Sequence, residues 1–348
     1  MNVLSLFDGI SCGMVALERA GVPVDRYVAY EIEPSAIKIS KKNYPQIEHC
    51  GDVMTADFTQ YKGFDLLIGG SPCQSLSIVQ SQTRQHLDGK SKLFFEFVRA
   101  KEEMQPKYFL FENVASMNEE SKQAISNCLG CKPIFIDSGD FSAQERPRYY
   151  WTNIPVLPYW VASELVLGDI LENEVDKKYF YDFPLLNVDL TKQVCATMEH
   201  NNHEMHKRVF NPSFKCHTLT CVSGGNQQKK VYINGRARKL TPLEYERLQT
   251  LPDNYTAGVA DGHRYTACGN GWTVDVIAHI LTSIKECEKM SYFNIQHPDI
   301  TAREKYGVPE AEPICCPLCG EECETFYRAD GEIVGCDMCI EAVEAYEL

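Results

Sequence analysis

The fold is decided near the start of the chain by residues 2–13, which read NVLSLFDGISCG. An apolar strand is predicted over residues 2–7 and a helix over residues 13–20, so the glycine-containing turn joins a strand to a helix. Glycines in such a turn let the backbone approach a ligand closely at the carboxyl edge of a sheet. The stretch therefore predicts the start of a ligand-binding βαβ unit, although it lacks the GxGxxG pattern of dinucleotide-binding folds.

The alternation of strand and helix continues from this turn to about residue 154. Strands are predicted at residues 26–31, 64–68, 108–112, 134–137 and 149–153, and helices at residues 33–44, 93–104 and 119–128. This alternation predicts an α/β fold with a mostly parallel, Rossmann-like sheet that helices cover on both faces. Residues 1–154 form the first part of this domain.

The regular pattern stops after residue 154 and returns later. Prolines and glycines interrupt residues 155–235, which are predicted to form a small, loop-rich region. Residues 236–295 return to the helical pattern, where Thr241 is a suitable N-cap and Pro242 the first helical residue. Residues 296–348 are predicted to be a linker and a cysteine-rich tail.

Charge is distributed unevenly along the chain. The net charge is −14, and residues 301–348 alone hold 12 acidic and 3 basic residues, which leaves about −5 for residues 1–300. Contacts with phosphates would therefore depend on local basic clusters and not on the overall charge. No run of about 18 apolar residues predicts a membrane span, and the N-terminus does not resemble a secretory signal. We expect a cytoplasmic protein without a membrane partner.

Two carboxylates follow the early strands. Glu31 ends the second strand, where it can accept hydrogen bonds from two ribose hydroxyls, and Asp52 follows Gly51, where it can accept from the amine of adenine. An acid at the end of a strand is more often simply solvated, so each residue alone is a weak signal. Together with the turn at residues 7–13, they indicate a ligand that contains adenosine.

A cysteine and a glutamate follow the next two strands at the same edge of the sheet. Cys73 lies in GGSPCQ, residues 69–74, where its thiolate would be a strong nucleophile, or else it is a buried structural cysteine. Pro72 and the two glycines favour a shaped loop over a core position. Glu112 ends an apolar strand, where it can either protonate a ring nitrogen or cap a helix.

The C-terminal tail contains two CxxC pairs. Cys316 and Cys319 are separated by 16 residues from Cys336 and Cys339, a spacing that predicts a zinc ribbon with four thiolate ligands to structural Zn²⁺. Redox thiols or another metal are the alternatives. The acidic charge argues against direct DNA binding by the tail, so a contact with another protein, or packing against the first domain, is expected.

In their order along the chain, these segments resemble the cytosine-C5 DNA methyltransferase family over residues 3–281. The matching segments are the turn at residues 7–13, Glu31, Asp52, PCQ at 72–74, ENV at 112–114, QERPR at 144–148, RKLTPLE at 238–244, and GNG at 269–271 followed by Val274. The amino-acid sequences of several segments are most similar to those of the de novo branch of eukaryotic enzymes. The compact length fits a bacterial or bacteriophage enzyme, for example one from a restriction–modification system.

The resemblance implies an S-adenosylmethionine-dependent methyltransferase fold and methyl transfer to C5 of cytosine. Cys73 would attack C6 of a cytosine flipped out of duplex DNA, while Glu112 protonates N3 and Arg148 holds O2. Arg146 would bind the phosphate of the flipped nucleotide or buttress the loop. Trp272 would close the cofactor site or belong to the core. The implied cofactor contacts are Phe7, Asp8, Gly9, Ile10, Gly13, Glu31, Ile32, Asp52, Val53, Pro72, Asn270 and Trp272.

Residues 155–235 fall where this family places its target-recognition region. The segment GGNQQKK, residues 224–230, combines amides and cations that can read base edges or bind phosphates, or else it is a solvated hairpin loop. Two other functions stay open: a tRNA cytosine-C5 methyltransferase, because one branch of the family modifies tRNA, and a non-catalytic regulatory relative. The implied contacts with double-stranded DNA are Gln74, Ser77, Asn226, Gln227, Lys229 and Arg238.

Overall fold

The computed structural model describes residues 1–71, 91–156, 161–199, 203–222, 224, 226–296, 326–329 and 332–336. The chain divides into two compact units, Met1–Cys287 and Glu288–Leu348. The strands of the first unit are β1 (Asn2–Leu6), β2 (Arg26–Tyr30), β3 (Glu48–His49), β4 (Leu66–Gly69), β5 (Tyr108–Val114), β6 (Ile134–Asp137), β7 (Gln144–Glu145), β8 (Pro147–Thr152), β9 (Leu185–Leu186), β10 (Val194–Met198), β11 (Arg208–Phe210), β12 (Cys216–His217), β13 (Lys230–Ile233) and β14 (Arg236–Lys239). Its helices are α1 (Cys12–Ala20), α2 (Pro34–Asn43), α3 (Ser91–Met104), α4 (Glu119–Leu129), α5 (Glu204–Lys207), α6 (Pro242–Leu248) and α7 (Asp261–Asn270). Helix α8 (Val274–Gln296) begins in this unit and ends in the second.

A seven-stranded sheet with the order β3-β2-β1-β4-β5-β8-β6 forms the centre of the first unit. The pairs from β3 to β5 are parallel, whereas β8 runs antiparallel to both of its neighbours. The predicted α/β fold with a mostly parallel sheet is confirmed. The chain runs outward from β1 to β3 and then returns to β4 on the other side of β1, and ligands of such sheets bind beyond the carboxyl ends of the strands at this reversal.

Alternate residues of the central strands enter two separate hydrophobic cores. Val3 and Leu110 are fully buried in the core that contains residues of α1 and α8. Leu4, Leu67 and Phe111 are fully buried in the core that contains residues of α3 and α4. Because burying one such side chain contributes roughly 1.5–3 kcal/mol, the two cores hold the central strands rigidly. The packing of these strands therefore fixes the positions from which the loops at the carboxyl edge of the sheet begin.

The start of α6 has the predicted cap. The Thr241 hydroxyl accepts a hydrogen bond from the Glu244 amide, the Glu244 carboxylate accepts one from the Thr241 amide, and Pro242 opens the helix. This reciprocal arrangement satisfies two amide groups that have no partner within the helix. The predicted N-cap is confirmed.

Residues 155–235 are mostly loop, as predicted, but their short strands also contribute to a second sheet, which the sequence did not predict. Its strands have the order β14-β13-β11-β10-β9 and share a small core of Ala196, Met198, Val209 and Ala237. The β13–β14 hairpin crosses the predicted boundary at residue 235. Strands of two to five residues are too short to display the alternation from which strands are predicted. A parallel pairing of β7 with β12 links this region to the central part.

The described part of the second unit comprises the end of α8 and an antiparallel hairpin of β15 (Phe326–Ala329) and β16 (Glu332–Cys336). Of the predicted zinc ligands, Cys316, Cys319 and Cys339 lie outside the described residues, and Cys336 ends β16. Among the helices that the structure describes, none combines the length and the apolar composition needed to cross a membrane.

Candidate active site

The turn after β1 adopts an uncommon backbone conformation that buried polar groups support. Phe7, Gly9 and Ser11 have φ values of 58°, 60° and 61°, in the left-handed region that few non-glycine residues adopt. The Asp8 carboxylate accepts hydrogen bonds from the Tyr27 hydroxyl at 2.7 Å and from the Ser11 hydroxyl. Asp8 was predicted to contact the cofactor, which stays a prediction; in the structure both of its oxygens hold the turn.

Two carboxylates and an apolar surface lie next to this turn. Glu31 accepts hydrogen bonds from the Gly9 and Ile32 amides, both at 2.8 Å, so it fixes the distance between the ends of β1 and β2. The Asp52 side chain is exposed and accepts from the Met54 amide at 2.9 Å. The Ile32 side chain is 69% exposed, which is uncommon for a large aliphatic residue. It offers a surface that an apolar ring can cover.

Three residues predicted to contact the cofactor do not expose a side chain, so for them the prediction concerns backbone atoms. The side chains of Ile10 and Val53 are only 1% and 4% exposed and belong to the two cores. Gly13 packs α1 against the sheet, since a Cβ there would lie 2.4 Å from Cδ1 of Ile68 and 2.9 Å from the hydroxyl of Tyr27. The sequence places these residues beside the turn, but only the fold shows that they face the interior.

Glu112 lies at the centre of a group of side chains from three distant parts of the chain. Its Oε1 is 2.7 Å from Nε of Arg148, and its Oε2 accepts a hydrogen bond from Nε1 of Trp272 at 3.1 Å. In the pairing of β5 with β8, Glu112 is opposite Tyr150 and Val114 is opposite Arg148, so Glu112 and Arg148 are diagonal neighbours on one face. The predicted partners thus meet, and Trp272 adds a donor that the sequence did not reveal.

The chain that leads to Cys73 starts beside this group. A Cβ on Gly70 would lie 2.7 Å from Oε2 of Glu112 and 3.2 Å from Nε1 of Trp272, so only glycine fits there without displacement. The side-chain amide of Asn113 donates a hydrogen bond from Nδ2 to the Ser71 carbonyl at 3.4 Å. The predicted site residues that follow, namely Pro72, Cys73, Gln74 and Ser77, lie outside the described residues.

Arg146 is buried and bound to the backbone. Its guanidinium donates to the carbonyls of Leu219, Gly269 and Gly271, each at 3.0 Å, and its side chain is 5% exposed. Burial and, to a smaller extent, the charge of Arg148 lower the pKa of Arg146 to about 10, so Arg146 stays protonated at neutral pH. It connects the second sheet region with the segment that carries Trp272. These are the contacts of a buttress and not of a phosphate-binding residue.

The segment before the predicted reading loop also contacts the Trp272 segment. Asn270 is exposed at the end of α7, and the Cys221 thiol donates to its Oδ1 at 2.7 Å. The Thr266 hydroxyl donates to the Val222 carbonyl at 3.0 Å. Residues 221–222 were not singled out from the sequence, because a cysteine and a valine in a loop give no local signal of such a contact.

The predicted DNA contacts differ in their exposure. Asn226 is exposed, and Gln227 and Lys229 are half-buried. The prediction for Arg238 needs correction: its side chain is 3% exposed, and its guanidinium forms a two-bond ion pair with Glu244 at 2.6 and 2.8 Å. A guanidinium buried in this way is not accessible to DNA.

Among the residues that the structure describes, no three histidine, cysteine or acidic side chains are grouped to hold a metal ion. The thiols in this part of the chain also differ in character. Burial raises the pKa of Cys12 and of Cys216 to about 12, whereas Cys221 is exposed.

Comparison with known proteins gives consistent matches. The family model for C-5 cytosine-specific DNA methylase matches residues 1–130 and 157–286. Type II methyltransferase M1.ScrFI of Lactococcus lactis subsp. cremoris is 28% identical over 311 residues, which cover 82% of this chain and 78% of the relative. Orphan methyltransferase M.SPRI of Bacillus phage SPR is 37% identical over 284 residues, which cover 64% of each chain. The crystal structure of S. pombe Dnmt2 methyltransferase superposes with a TM-score of 0.63 at 20% identity, covering 82% of this chain and 98% of that one.

Proposed function

The chain belongs to the C-5 cytosine-specific DNA methylase family and is a DNA cytosine methyltransferase, and on this premise we propose that Cys73, Glu112 and Arg148 carry its chemistry. The observation that supports this most is the 2.7 Å ion pair between Glu112 and Arg148, which lies beside Gly70 at the start of the Cys73 segment. Cys73 follows Ser71 by two residues, so covalent geometry keeps their Cα atoms within about 8 Å of each other.

Family membership implies S-adenosylmethionine as the methyl donor, and the residues at the carboxyl edge fit this molecule. Glu31 can accept from ribose hydroxyls, and Asp52 is exposed and can accept from the adenine amine. Ile32 and Phe7 supply apolar surface for the adenine ring, and Ile32 is 69% exposed. Asn270 lies on the exposed end of α7 and is proposed to close the site. The Asp8 carboxylate holds the turn in which Phe7 and Gly9 lie.

The proposed reaction starts with attack of the Cys73 thiolate on C6 of a flipped cytosine, which forms an S–C6 bond and makes C5 nucleophilic. Glu112 takes up a proton from solvent when the base binds and passes it to N3, and Arg148 donates to O2, so negative charge does not accumulate on the ring. S-adenosylmethionine, when bound, supplies the methyl group that C5 accepts. A solvent water then takes the C5 proton, and cleavage of the S–C6 bond restores the aromatic ring and releases the Cys73 thiolate. The proton on N3 returns to Glu112.

Trp272 and Arg148 hold the carboxylate of Glu112 from two sides, which fixes its orientation before the base arrives. Fixed geometry of this kind lowers the barrier because little rearrangement remains for the reaction itself. Arg146 is proposed to act at a distance, by tying the segments at residues 219 and 269–271 together.

The second sheet region is proposed to recognise the target sequence. Asn226 is exposed and Gln227 half-exposed, and amide side chains can pair with base edges in the major groove. Lys229 offers a cation for phosphate or guanine. The Cys221–Asn270 contact places the start of this loop beside the segment of Trp272, which contacts Glu112. The loop is thus connected to the site of the flipped base.

Transfer of radioactive methyl groups from S-adenosylmethionine to duplex DNA tests the function directly. We expect label in duplex DNA and none in tRNA. Bisulfite sequencing of DNA from cells that express the chain should then show protected cytosines within one short sequence, because methylated cytosine resists deamination. Label in tRNA alone would establish the alternative substrate, and absence of label in both would indicate a non-catalytic relative.

For the second unit we propose a structural zinc ion held by Cys316, Cys319, Cys336 and Cys339. The donor set fits, since four thiolates bind Zn²⁺ tetrahedrally. The β15–β16 hairpin lies between the two CxxC pairs, and β16 ends at Cys336. A contact of the acidic tail with another protein, and a location in the cytoplasm of a bacterial or phage-infected cell, remain predictions.

Metal analysis of the purified chain should find about one zinc per molecule. The double variant Cys316→Ser/Cys319→Ser should lose the zinc. The matched control is Cys128→Ser/Cys131→Ser, which removes the same spacing of thiols at the end of α4 and should keep the zinc. A parent protein without zinc, or equal zinc in both double variants, would contradict the assignment.

A further inference from the structure

Lys230, the first residue of β13, has its ammonium group buried in the second sheet region. The side chain is 1% exposed, and Nζ donates to the carbonyls of His206, Asn226 and Gln228 at 2.7, 2.6 and 2.9 Å. Nζ also lies 5.5 Å from the centre of the Tyr181 ring. An ammonium group has three N–H donors, so all of them are used within the protein.

Two of the three carbonyl acceptors belong to the segment that is proposed to read DNA. Asn226 adopts a left-handed conformation with φ 60°, and its side chain is exposed. The next anchors along the chain are the Lys229 amide, which donates to the Tyr245 hydroxyl at 2.8 Å, and the Leu240 amide, which donates to the Lys229 carbonyl at 2.9 Å. The ammonium of Lys230 therefore fixes the backbone carbonyls of Asn226 and Gln228, on either side of Gln227.

We propose that Lys230 is a positioning residue for sequence recognition, which orders the backbone of residues 226–228 so that Asn226 and Gln227 present their amides in one arrangement. The inference rests on the proposed role of this loop in reading DNA. A loop that is already ordered in the free protein loses little conformational entropy when it binds DNA. The resulting gain in affinity applies only to the sequence whose base edges fit the ordered side chains.

The structure also offers a matched control. Nζ of Lys215 donates to the carbonyls of Ser142, Ser163 and Leu165 at 3.1, 2.9 and 2.8 Å, so it makes the same three-carbonyl contact without touching the reading loop. Burial lowers the pKa of both lysines, that of Lys230 to about 7, so binding is best measured near pH 6. The parent side chain is then mainly an ammonium.

The test compares Lys230→Met and Lys215→Met in binding to two duplexes, one with the target found by bisulfite sequencing and one with that sequence scrambled. For Lys230→Met we expect binding to the target duplex to be at least about tenfold weaker than that of the parent. Its affinity for the scrambled duplex should stay within about twofold of the parent value, with an unchanged salt dependence. Lys215→Met should lower the melting temperature without changing the ratio of the two affinities. If Lys230→Met does not fold, Lys230→Gln, which keeps two donors, allows the same comparison.

The alternatives give different results. A phosphate contact by Lys230 would weaken both duplexes equally and reduce the salt slope by about one. A merely structural role would give Lys230→Met the same affinity ratio as Lys215→Met. Either result overturns the inference. The double variant Asn226→Ala/Gln227→Ala tests its premise, because an unchanged affinity ratio there would refute the reading loop and, with it, the role of Lys230.

Discussion

Replacing Cys73 with serine is expected to reduce methyl transfer by at least about 10³-fold and to abolish the covalent complex with DNA that carries 5-fluorocytosine at the target position. A serine hydroxyl is a much weaker nucleophile than a thiolate, so the S–C6 bond has no effective substitute. 5-Fluorocytosine traps the parent enzyme because fluorine at C5 cannot leave as a proton, which blocks the elimination step. Denaturing gel electrophoresis with S-adenosylmethionine present detects the complex.

The control for this experiment is Cys221→Ser. Cys221 is the exposed thiol in contact with Asn270, so it is the described cysteine best placed to compete for the role of nucleophile. Burial raises the pKa of Cys12 and Cys216 to about 12, which keeps those thiols protonated and unreactive near pH 7. We expect Cys221→Ser to retain the complex. A complex that survives in Cys73→Ser and disappears in Cys221→Ser would reassign the nucleophile.

The order of elements around the active site could be predicted from the sequence because buried parallel strands are short, nearly continuous apolar runs. Residues 66–69 and 108–114 are examples, and each was recognised to within a few residues. The position of Glu112 was less accurate. It was predicted at the end of its strand, but β5 continues to Val114, and this extension pairs with β8 and brings Arg148 diagonally opposite.

Burial of charged side chains could not be predicted, because it depends on how the fold brings them to their partners, several of which are backbone atoms. Arg146 and Arg238 both lie in motifs that suit DNA binding. The fold instead directs Arg146 to three carbonyls and Arg238 to the carboxylate of Glu244. Lys230 follows the same rule, since its three acceptors are carbonyls and leave no pattern in the side-chain sequence.

The helix α7 was missed for a different reason. Its sequence, DGHRYTACGN, contains two glycines and few apolar residues, so it shows no hydrophobic stripe. Tertiary contacts stabilise it: Tyr265 and Cys268 are buried, and Arg264 forms an ion pair with Glu246 at 2.9 Å. Asn270 ends this helix, so its proposed contact with the cofactor depends on packing that no local pattern reveals.

Changing Glu112 to glutamine should lower kcat by roughly 10²–10⁴-fold while the affinity for target DNA changes by less than about threefold. Glutamine has nearly the same size but cannot supply a proton to N3, so charge that develops on the ring after attack is no longer neutralised. Its amide places an NH2 group where the carboxylate has a second oxygen, so one of the two donors, Arg148 or Trp272, loses its acceptor. Single-turnover rates on the target duplex separate the chemical step from DNA binding.

A loss of activity in this variant has to be distinguished from a loss of structure, because breaking a largely buried ion pair costs about 3–5 kcal/mol. Glu246→Gln is the matched control: Glu246 is fully buried, accepts from Arg264 at 2.9 Å, and also accepts from the Thr256 amide at 2.8 Å. It should lower the melting temperature and leave the single-turnover rate of the folded protein within about twofold, since its partners Arg264 and Thr256 are not the partners of Glu112. If Glu112→Gln lowers the melting temperature as Glu246→Gln does but retains the parent rate, Glu112 is a structural carboxylate and the proton for N3 comes from elsewhere.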